Sequence, residues 1–166
     1  MDEATGIYLD GAQRVMSLLQ EQFGDTFNAY FIGAPDVFPE ASFPCLVVVK
    51  AAGSFTAGAT MTDNKTENIL IHILANAKEG FATPDDDDTV MRQIFNLIEA
   101  IDPATNNFLP NTVMSVVRKN ITLNSSIIDS SIQINYAVTP RVNQPNIVEG
   151  LVTMTTVERV FVPNRT

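Results

Sequence analysis

The chain has very few of the residues that usually build catalytic and metal centres. Its 166 residues include one cysteine, Cys45, and one histidine, His72. A single cysteine excludes an intrachain disulfide and a cysteine-based zinc cluster. His72 lies within an apolar run, so we interpret it as a buried histidine satisfied by one hydrogen bond, and Cys45 as a buried hydrophobe. We therefore predict no catalytic residue, no cofactor and no metal.

Basic residues are also scarce, with ten against nineteen acidic ones and a formal net charge of −9. That balance argues against tight binding to nucleic-acid phosphates, although an acidic wall would let DNA pass without holding it. The N-terminus lacks the basic and apolar regions of a secretion signal. No apolar run approaches the length of a membrane span. These features predict a chain made and kept inside a cell, or inside a particle assembled there.

The apolar patterning predicts one α+β domain over residues 1–166, with two main helices packed on one side of a mixed, mostly antiparallel sheet. The first helix covers roughly residues 8 to 23, and Gly24 supplies a left-handed stop. The second is predicted over Thr89–Ile101. Its expected buried stripe consists of Val90, Ile94, Leu97, Ile98 and Ile101.

Two continuous apolar runs, Cys45–Lys50 and Ile69–Ala75, predict strands in the interior of the sheet. We predict further strands over Thr112–Arg118 and around the alternating residues 132–138. Leu151–Val162 is long enough for a strand, and its apolar phase shifts partway, which predicts a bulge.

The segment between the first helix and the first apolar run contains four phenylalanines among three prolines. The prolines exclude a helix and restrict any strand to a sheet edge. We expect these phenylalanines to form a satellite core rather than an exposed docking patch. They are Phe27, Phe31, Phe38 and Phe43.

Four consecutive aspartates, Asp85–Asp88, raise the possibility of a Ca²⁺ or Mg²⁺ site. Their spacing lacks the alternation, the glycine and the distal glutamate of a calcium loop. A helix start explains them better, with Thr83 as N-cap, Pro84 at the first helical position and carboxylates near the positive end of the dipole.

Residues 51–67 link the two apolar runs and are rich in glycine, alanine and threonine. The segment is too long for a tight hairpin turn, and connections of this length are usually functional or disordered. We predict a protruding loop or hairpin arm, with Phe55 and Met61 near its tip.

The order of these features resembles the tail-terminator (tail-completion) proteins of long-tailed bacteriophages. An amphipathic helix and a Phe/Pro-rich segment lead into Phe43-Pro44-Cys45-Leu46-Val47-Val48-Val49. A long small-residue excursion, the run Ile69–Leu74, an acidic helix start, one helix and C-terminal strands follow. The resemblance implies a mixed sheet with helices on one side, and a hexameric ring that ends the tail tube.

This resemblance also implies the partners and the location of the protein. The partners would be further copies of the chain, the tail tube protein, and a head–tail connector or stopper protein, while genomic DNA would pass through the lumen without specific binding. The protein would lie in the tail or neck of a virion assembled in the host cytoplasm, with no membrane partner. The predicted interface residues are Phe55, Thr56, Met61, Arg118 and Lys119.

Other functions also fit the residues. Another neck component or the tail tube subunit itself would show a similar composition. A monomeric small-ligand-binding domain would use a pocket between helix and sheet. A metal-dependent enzyme would have to be built on Asp85–Asp88.

Overall fold

A computed structural model describes residues 11–58, 61–81, 89–120, 127–140, 142–143 and 146–162. Five strands of it form one sheet, in the order β1-β2-β3-β7-β6. The short β1 is parallel to β2, and the other neighbouring strands are antiparallel. The strands are β1 (Ala29–Ile32), β2 (Cys45–Ala57), β3 (Thr62–Asn76), β6 (Ile127–Thr139) and β7 (Ile147–Phe161).

Three α-helices lie among the described residues: α1 (Gly11–Phe23), α2 (Val90–Glu99) and α3 (Val113–Lys119). Two single-turn 3-10 helices also occur, Gly24–Thr26 after α1 and Glu40–Ser42 in the Phe/Pro segment, where no helix was expected. The predicted α+β fold with a mostly antiparallel mixed sheet is therefore confirmed. α1 ends before Gly24, whose φ of +44° is the left-handed conformation expected there. The described part of α1 lies within the predicted helix, and the start predicted at residue 8 lies outside the described residues.

The main core lies between the helices and one face of the sheet. The apolar runs of β2 and β3 supply its centre, where Val48, Ile71 and Ile73 have no exposed surface. α2 packs closely on β7, because a Cβ at Gly150 would lie 2.4 Å from Ile98 Cδ1. The Tyr136 hydroxyl on β6 donates a 2.6 Å hydrogen bond to Glu99 Oε1 at the end of α2.

The prediction of a strand over Thr112–Arg118 was wrong, because this segment forms α3. Its valines favour strands in isolation. The Thr112 side chain instead accepts a 3.1 Å hydrogen bond from the Ser115 N–H and caps the helix. All residues from Val113 to Val117 are buried, which shows that tertiary packing overrides the local preference.

The second helix is shorter than predicted and starts from a different cap. Its N-cap is Thr89, whose hydroxyl accepts from the Arg92 N–H, so Thr83 is not the cap. Thr83 and the aspartates 85–88 lie outside the described residues. Ile101 was expected on the buried stripe but is 48% exposed, because the helix ends at Glu99 and Ile101 starts a two-stranded hairpin of β4 (Ile101–Asp102) and β5 (Asn107–Phe108).

The Phe/Pro segment covers part of the sheet face away from the helices, as the satellite-core prediction expected. Phe43 is buried there with Cys45, Val47 and Leu74, and Phe31 and Phe38 pack against them. Phe27 differs from the prediction because it belongs to the main core. β1 is an edge strand, which agrees with the restriction that the prolines impose.

The prediction of a bulge in Leu151–Val162 was wrong. β7 pairs with β3 without a shift in register from Ile147 to Phe161. The irregularity lies instead in β6, between Ile127 and Asp129, which face Glu158 and Val157. A second shift in register lies in β2, between Lys50 and Ala52.

Candidate assembly surface

The strands β2, β3 and β7 continue past the apolar core, and β6 pairs with β7 along part of this extension, as far as Glu158. We call this extension the arm and define it as Ala51–Ala57 of β2, Met61 with Thr62–Glu67 of β3, and Thr156–Phe161 of β7. Every residue of β2 within the arm is exposed. The predicted excursion at 51–67 is thus an antiparallel hairpin whose second strand also pairs with β7.

Large apolar side chains are exposed toward the end of the arm. Phe55 is 64% exposed, Met61 46% and Phe161 77%. Met61 has a positive φ of 62°, and its carbonyl accepts a 2.9 Å hydrogen bond from the Val162 N–H. That bond holds the end of β7 at the tip of the hairpin. Phe55 pairs with Lys65 and Phe161 with Thr62, so the two phenylalanines lie on opposite faces of the arm.

A charged cluster fixes the base of the arm to α1. Glu67 is 3% exposed and its Oε1 lies 2.7 Å from Lys50 Nζ and 2.9 Å from Lys65 Nζ. Glu67 Oε2 accepts a 3.4 Å hydrogen bond from the Gly11 N–H at the start of α1. Arg14 Nη1 on α1 lies 3.7 Å from Glu158 Oε1 on β7. The arm is therefore held by ion pairs where the inner sheet is held by apolar packing.

The charges of this cluster explain the pKa of Glu67. Burial alone would raise the pKa of this carboxyl group. Hydrogen bonds from Lys50 and Lys65, together with their positive charges, outweigh burial and lower the pKa from 4.5 to about 2. Glu67 is consequently ionised at all ordinary pH values.

The structure separates the five predicted interface residues into two groups. Phe55, Thr56 and Met61 lie on the arm. Arg118 and Lys119 occupy the last turn of α3, where Lys119 lines a groove against Leu18 and Glu21 of α1. Exposed cations at a helix C-terminus also stabilise the helix dipole, which accounts for this pair without any partner.

Sequence reasoning missed Phe161 as a surface residue. The prediction assigned it only to the strand Leu151–Val162. Its position at the tip depends on the pairing of Phe161 with Thr62, which joins residues far apart in the sequence. No local pattern signals that pairing, although the length of the last apolar stretch is consistent with a strand that continues past the core.

Besides the short β1, the sheet has two longer stretches of strand edge without a partner among the described residues. β1 pairs with β2 only from Cys45 to Val48, so the edge of β2 is open from Val49 to Ala57. β6 is the other edge and runs from Ile127 to Thr139. Open edges of this length are templates for pairing with another chain unless charge or proline blocks them.

The other residues considered as candidates for a site, His72 and Cys45, lie outside the arm. His72 does make one side-chain hydrogen bond, but it is half-buried rather than buried, and its partner is the Glu149 carboxylate. Cys45 is fully buried, as expected of a small hydrophobe. No group of three or more metal-binding side chains occurs within the part of the chain that the structure describes, and the aspartates 85–88 lie outside it.

Comparison with known proteins does not assign the chain to a family. No protein-family model and no curated protein matches the chain. Within the described residues, no helix is long and apolar enough to cross a membrane.

Proposed function

We propose that the protein is a structural component of a phage virion that assembles into a ring, hexameric in the tail-terminator family that the sequence resembles. The ring ends the tail tube and joins it to the head–tail connector or stopper. This proposal combines the sequence resemblance with one structural observation, the arm. An arm with large exposed apolar side chains at its end and an open β2 edge is suited to contact another protein surface.

The end of the arm supports a binding role because each of its two faces exposes a large apolar side chain. Scattered single apolar residues on a surface need no explanation. Phe55 and Phe161 instead lie on opposite faces at one end of three paired strands, and Met61 lies at the turn that precedes β3. Burying such aromatic side chains at an interface contributes more binding energy than polar contacts at its rim.

The directions of the edge strands favour a head-to-tail arrangement of copies. β2 and β6 run in opposite directions within one chain, since two antiparallel steps lead from β2 to β7 and a third leads to β6. Two copies in the same orientation therefore present the β6 edge and the open part of the β2 edge to each other as antiparallel strands. Contacts between two different surfaces of identical chains form rings when the rotation closes.

The net charge of −9 is compatible with a lumen through which DNA moves. A ring that held phosphates tightly would need clusters of lysine and arginine. The adjacent basic pair, Arg118 and Lys119, lies on a helix in the layer above the sheet. We propose that DNA passes the ring without specific binding.

The proposal is tested by adding the purified protein to tail tubes assembled from the tube protein of the same virion. Electron microscopy should show a ring at one end of each tube, and added tube protein should not extend that end. The variant Phe55→Asp should lose this capping. Val142→Asp should retain it, because Val142 is 89% exposed on the loop between β6 and β7 and is not part of the arm.

Two results would contradict the terminator assignment. Incorporation of the protein along the whole tube would make it a tube subunit instead. Absence of any contact with tubes or with a connector would exclude the neck of the virion as its site of action.

A further inference from the structure

A cavity of about 240 Å³ lies on the sheet face away from the helices, at the end opposite the arm. Four side chains give it an apolar wall: Phe38 from the Phe/Pro segment, Val47, Leu74 and Ile147. His72 and Glu149 also line it. This cavity differs from the pocket between helix and sheet that a ligand-binding domain was expected to use.

His72 and Glu149 form a polar pair within these apolar surroundings. His72 Nδ1 lies 2.5 Å from Glu149 Oε1, and each side chain is 23% exposed. They are diagonal neighbours on β3 and β7, because His72 faces Leu151 and Glu149 faces Leu74 in the register. The strands therefore fix the pair, and no flexible loop is needed to bring the two groups together.

The carboxylate determines which nitrogen of His72 carries the proton. An ionised carboxylate only accepts hydrogen bonds, so the proton between the two groups belongs to Nδ1. In the neutral ring, Nε2 is then an acceptor and not a donor. Thr139 also lines the cavity, so its polar groups are His72, Glu149 and one hydroxyl. A mostly apolar cavity with a few acceptors selects a ligand with an apolar body and one hydrogen-bond donor.

The size of the cavity limits the ligand to about one ring. A cavity of roughly 150 Å³ lined by apolar side chains is large enough for benzene. The volume of about 240 Å³ accommodates a ring with a small substituent and is below the usual range for drug-sized ligands. Anionic ligands are disfavoured by Glu149 and by the net charge of −9.

We propose that this cavity binds a small neutral aromatic alcohol, whose ring contacts Phe38, Val47 and Leu74 and whose hydroxyl donates to His72 Nε2. The site does not depend on ring assembly and adds a small-molecule function to the proposed structural one. Glu149 acts as a positioning residue, since it holds the histidine in the tautomer that accepts the ligand hydroxyl.

The test is a titration of the full-length protein with p-cresol, followed by two-dimensional NMR of the backbone amides. Saturable shifts should occur at cavity residues, with a dissociation constant on the order of 0.1–1 mM. Toluene, which lacks the hydroxyl group, should bind at least fivefold more weakly. Benzoate should not bind. Benzylamine should bind more weakly than p-cresol, because binding removes its ammonium group from water while the Glu149 carboxylate is already paired with His72.

Two variants distinguish this site from nonspecific binding. His72→Leu should lower the affinity for p-cresol to that for toluene, because it removes the acceptor and keeps an apolar wall. Ala34→Phe should abolish binding of both compounds, because Ala34 is an exposed cavity residue and a larger side chain there fills the opening. It should leave the fold intact even if His72→Leu does not fold. Gln133→Leu is the matched control, exposed on the same sheet face and nearer the arm.

The proposal is overturned if p-cresol causes no saturable shifts at 5 mM, roughly five times the weakest expected dissociation constant. It is also overturned if toluene binds as tightly as p-cresol, or if benzylamine binds more tightly. Unchanged p-cresol affinity in Ala34→Phe would place the binding elsewhere on the molecule.

Discussion

The inner half of the sheet and the arm belong to the same strands, yet they are held together by different interactions. In the inner half, β3 contributes Ile69, Ile71 and Ile73, none of which is exposed. In the arm, the same strand contributes Lys65 and Glu67, which are buried as ions. The inner half is stabilised by apolar burial, whereas the arm combines a charged base with an apolar tip exposed to solvent. One continuous strand can thus support a core at one end and a contact surface at the other.

The largest predicted effect contrasts an inner isoleucine with an arm phenylalanine. Ile71→Ala should lower the free energy of unfolding by about 4 kcal/mol, because it leaves a cavity in a fully packed core. Phe55→Ala should change it by less than about 0.5 kcal/mol, since Phe55 is 64% exposed. Urea unfolding of both variants measures the difference. Equal losses would show that the arm is part of the folding core and would remove the contrast.

The charged base of the arm should give the next largest effect. Glu67→Gln should lower the free energy of unfolding by about 3 kcal/mol, because it leaves the buried Lys65 without its nearest carboxylate. The double variant Lys65→Met/Glu67→Leu should recover most of that loss, since an apolar pair removes both buried charges. Thermal unfolding of the two variants gives the comparison. A single variant as stable as the wild type would show that the ion pairs do not hold the arm.

The same carboxylate predicts a pH dependence confined to acid. The folded-state pKa of Glu67 is lowered to about 2, so its contribution to stability is complete above about pH 4.5 and declines as the pH falls toward 2. The stability difference between wild type and Glu67→Gln should therefore shrink over that interval. Urea unfolding at pH 7, 4 and 2.5 follows it. If the stability difference between wild type and Glu67→Gln grew as the pH fell, the pKa of Glu67 would not be lowered in the folded state.

The contact between α2 and β7 provides a test within the inner half. Gly150→Ala should lower the free energy of unfolding by about 2 kcal/mol, because the added Cβ would lie 2.6 Å from Ile94 Cγ2 and move the helix from the sheet. Gly53→Ala in the arm is the matched control, since its Cβ would meet nothing closer than 3.6 Å. Chemical denaturation measures the free energy of unfolding of both variants. If Gly150→Ala were as stable as the wild type, the helix would be able to move away from the sheet without cost.

The smallest effect concerns the cap of α3. Thr112→Ala should lower the free energy of unfolding by about 1 kcal/mol, because it removes the hydroxyl that accepts from the Ser115 N–H. Thr112→Ser should retain most of the stability. Thr56→Ala, on the exposed strand of the arm, should have almost no effect. If Thr112→Ser is as unstable as Thr112→Ala, the methyl group matters more than the cap.

The sequence predicted those elements whose apolar pattern is local. Cys45–Lys50 and Ile69–Ala75 are continuous apolar runs and form the centre of the sheet. Residues 132–138 alternate and form the half-buried β6. The valine-rich α3 was assigned to a strand, because its burial depends on packing against α1 and α2 rather than on a local apolar period.

The candidate sites depend on contacts between distant residues, and the sequence predicted them only in part. The arm at 51–67 was predicted from the unusual length of the segment that links the two apolar runs. Its pairing with β7 and the exposure of Phe161 did not, because register over that distance has no local signal. His72 was expected to make a single hydrogen bond, but Glu149 is 77 positions away along the chain, and no motif joins the two.

The most direct test of the central claim, assembly through the arm, is sedimentation velocity of the full-length protein at high concentration, alone and with tail tubes. The wild type and Val142→Asp should form a closed ring with the mass of six chains, in solution or on the tubes. Phe55→Asp should remain monomeric under both conditions while folding normally by circular dichroism. A wild type that stays monomeric with and without tubes, or a Phe55→Asp variant that assembles as well as the wild type, would contradict the account.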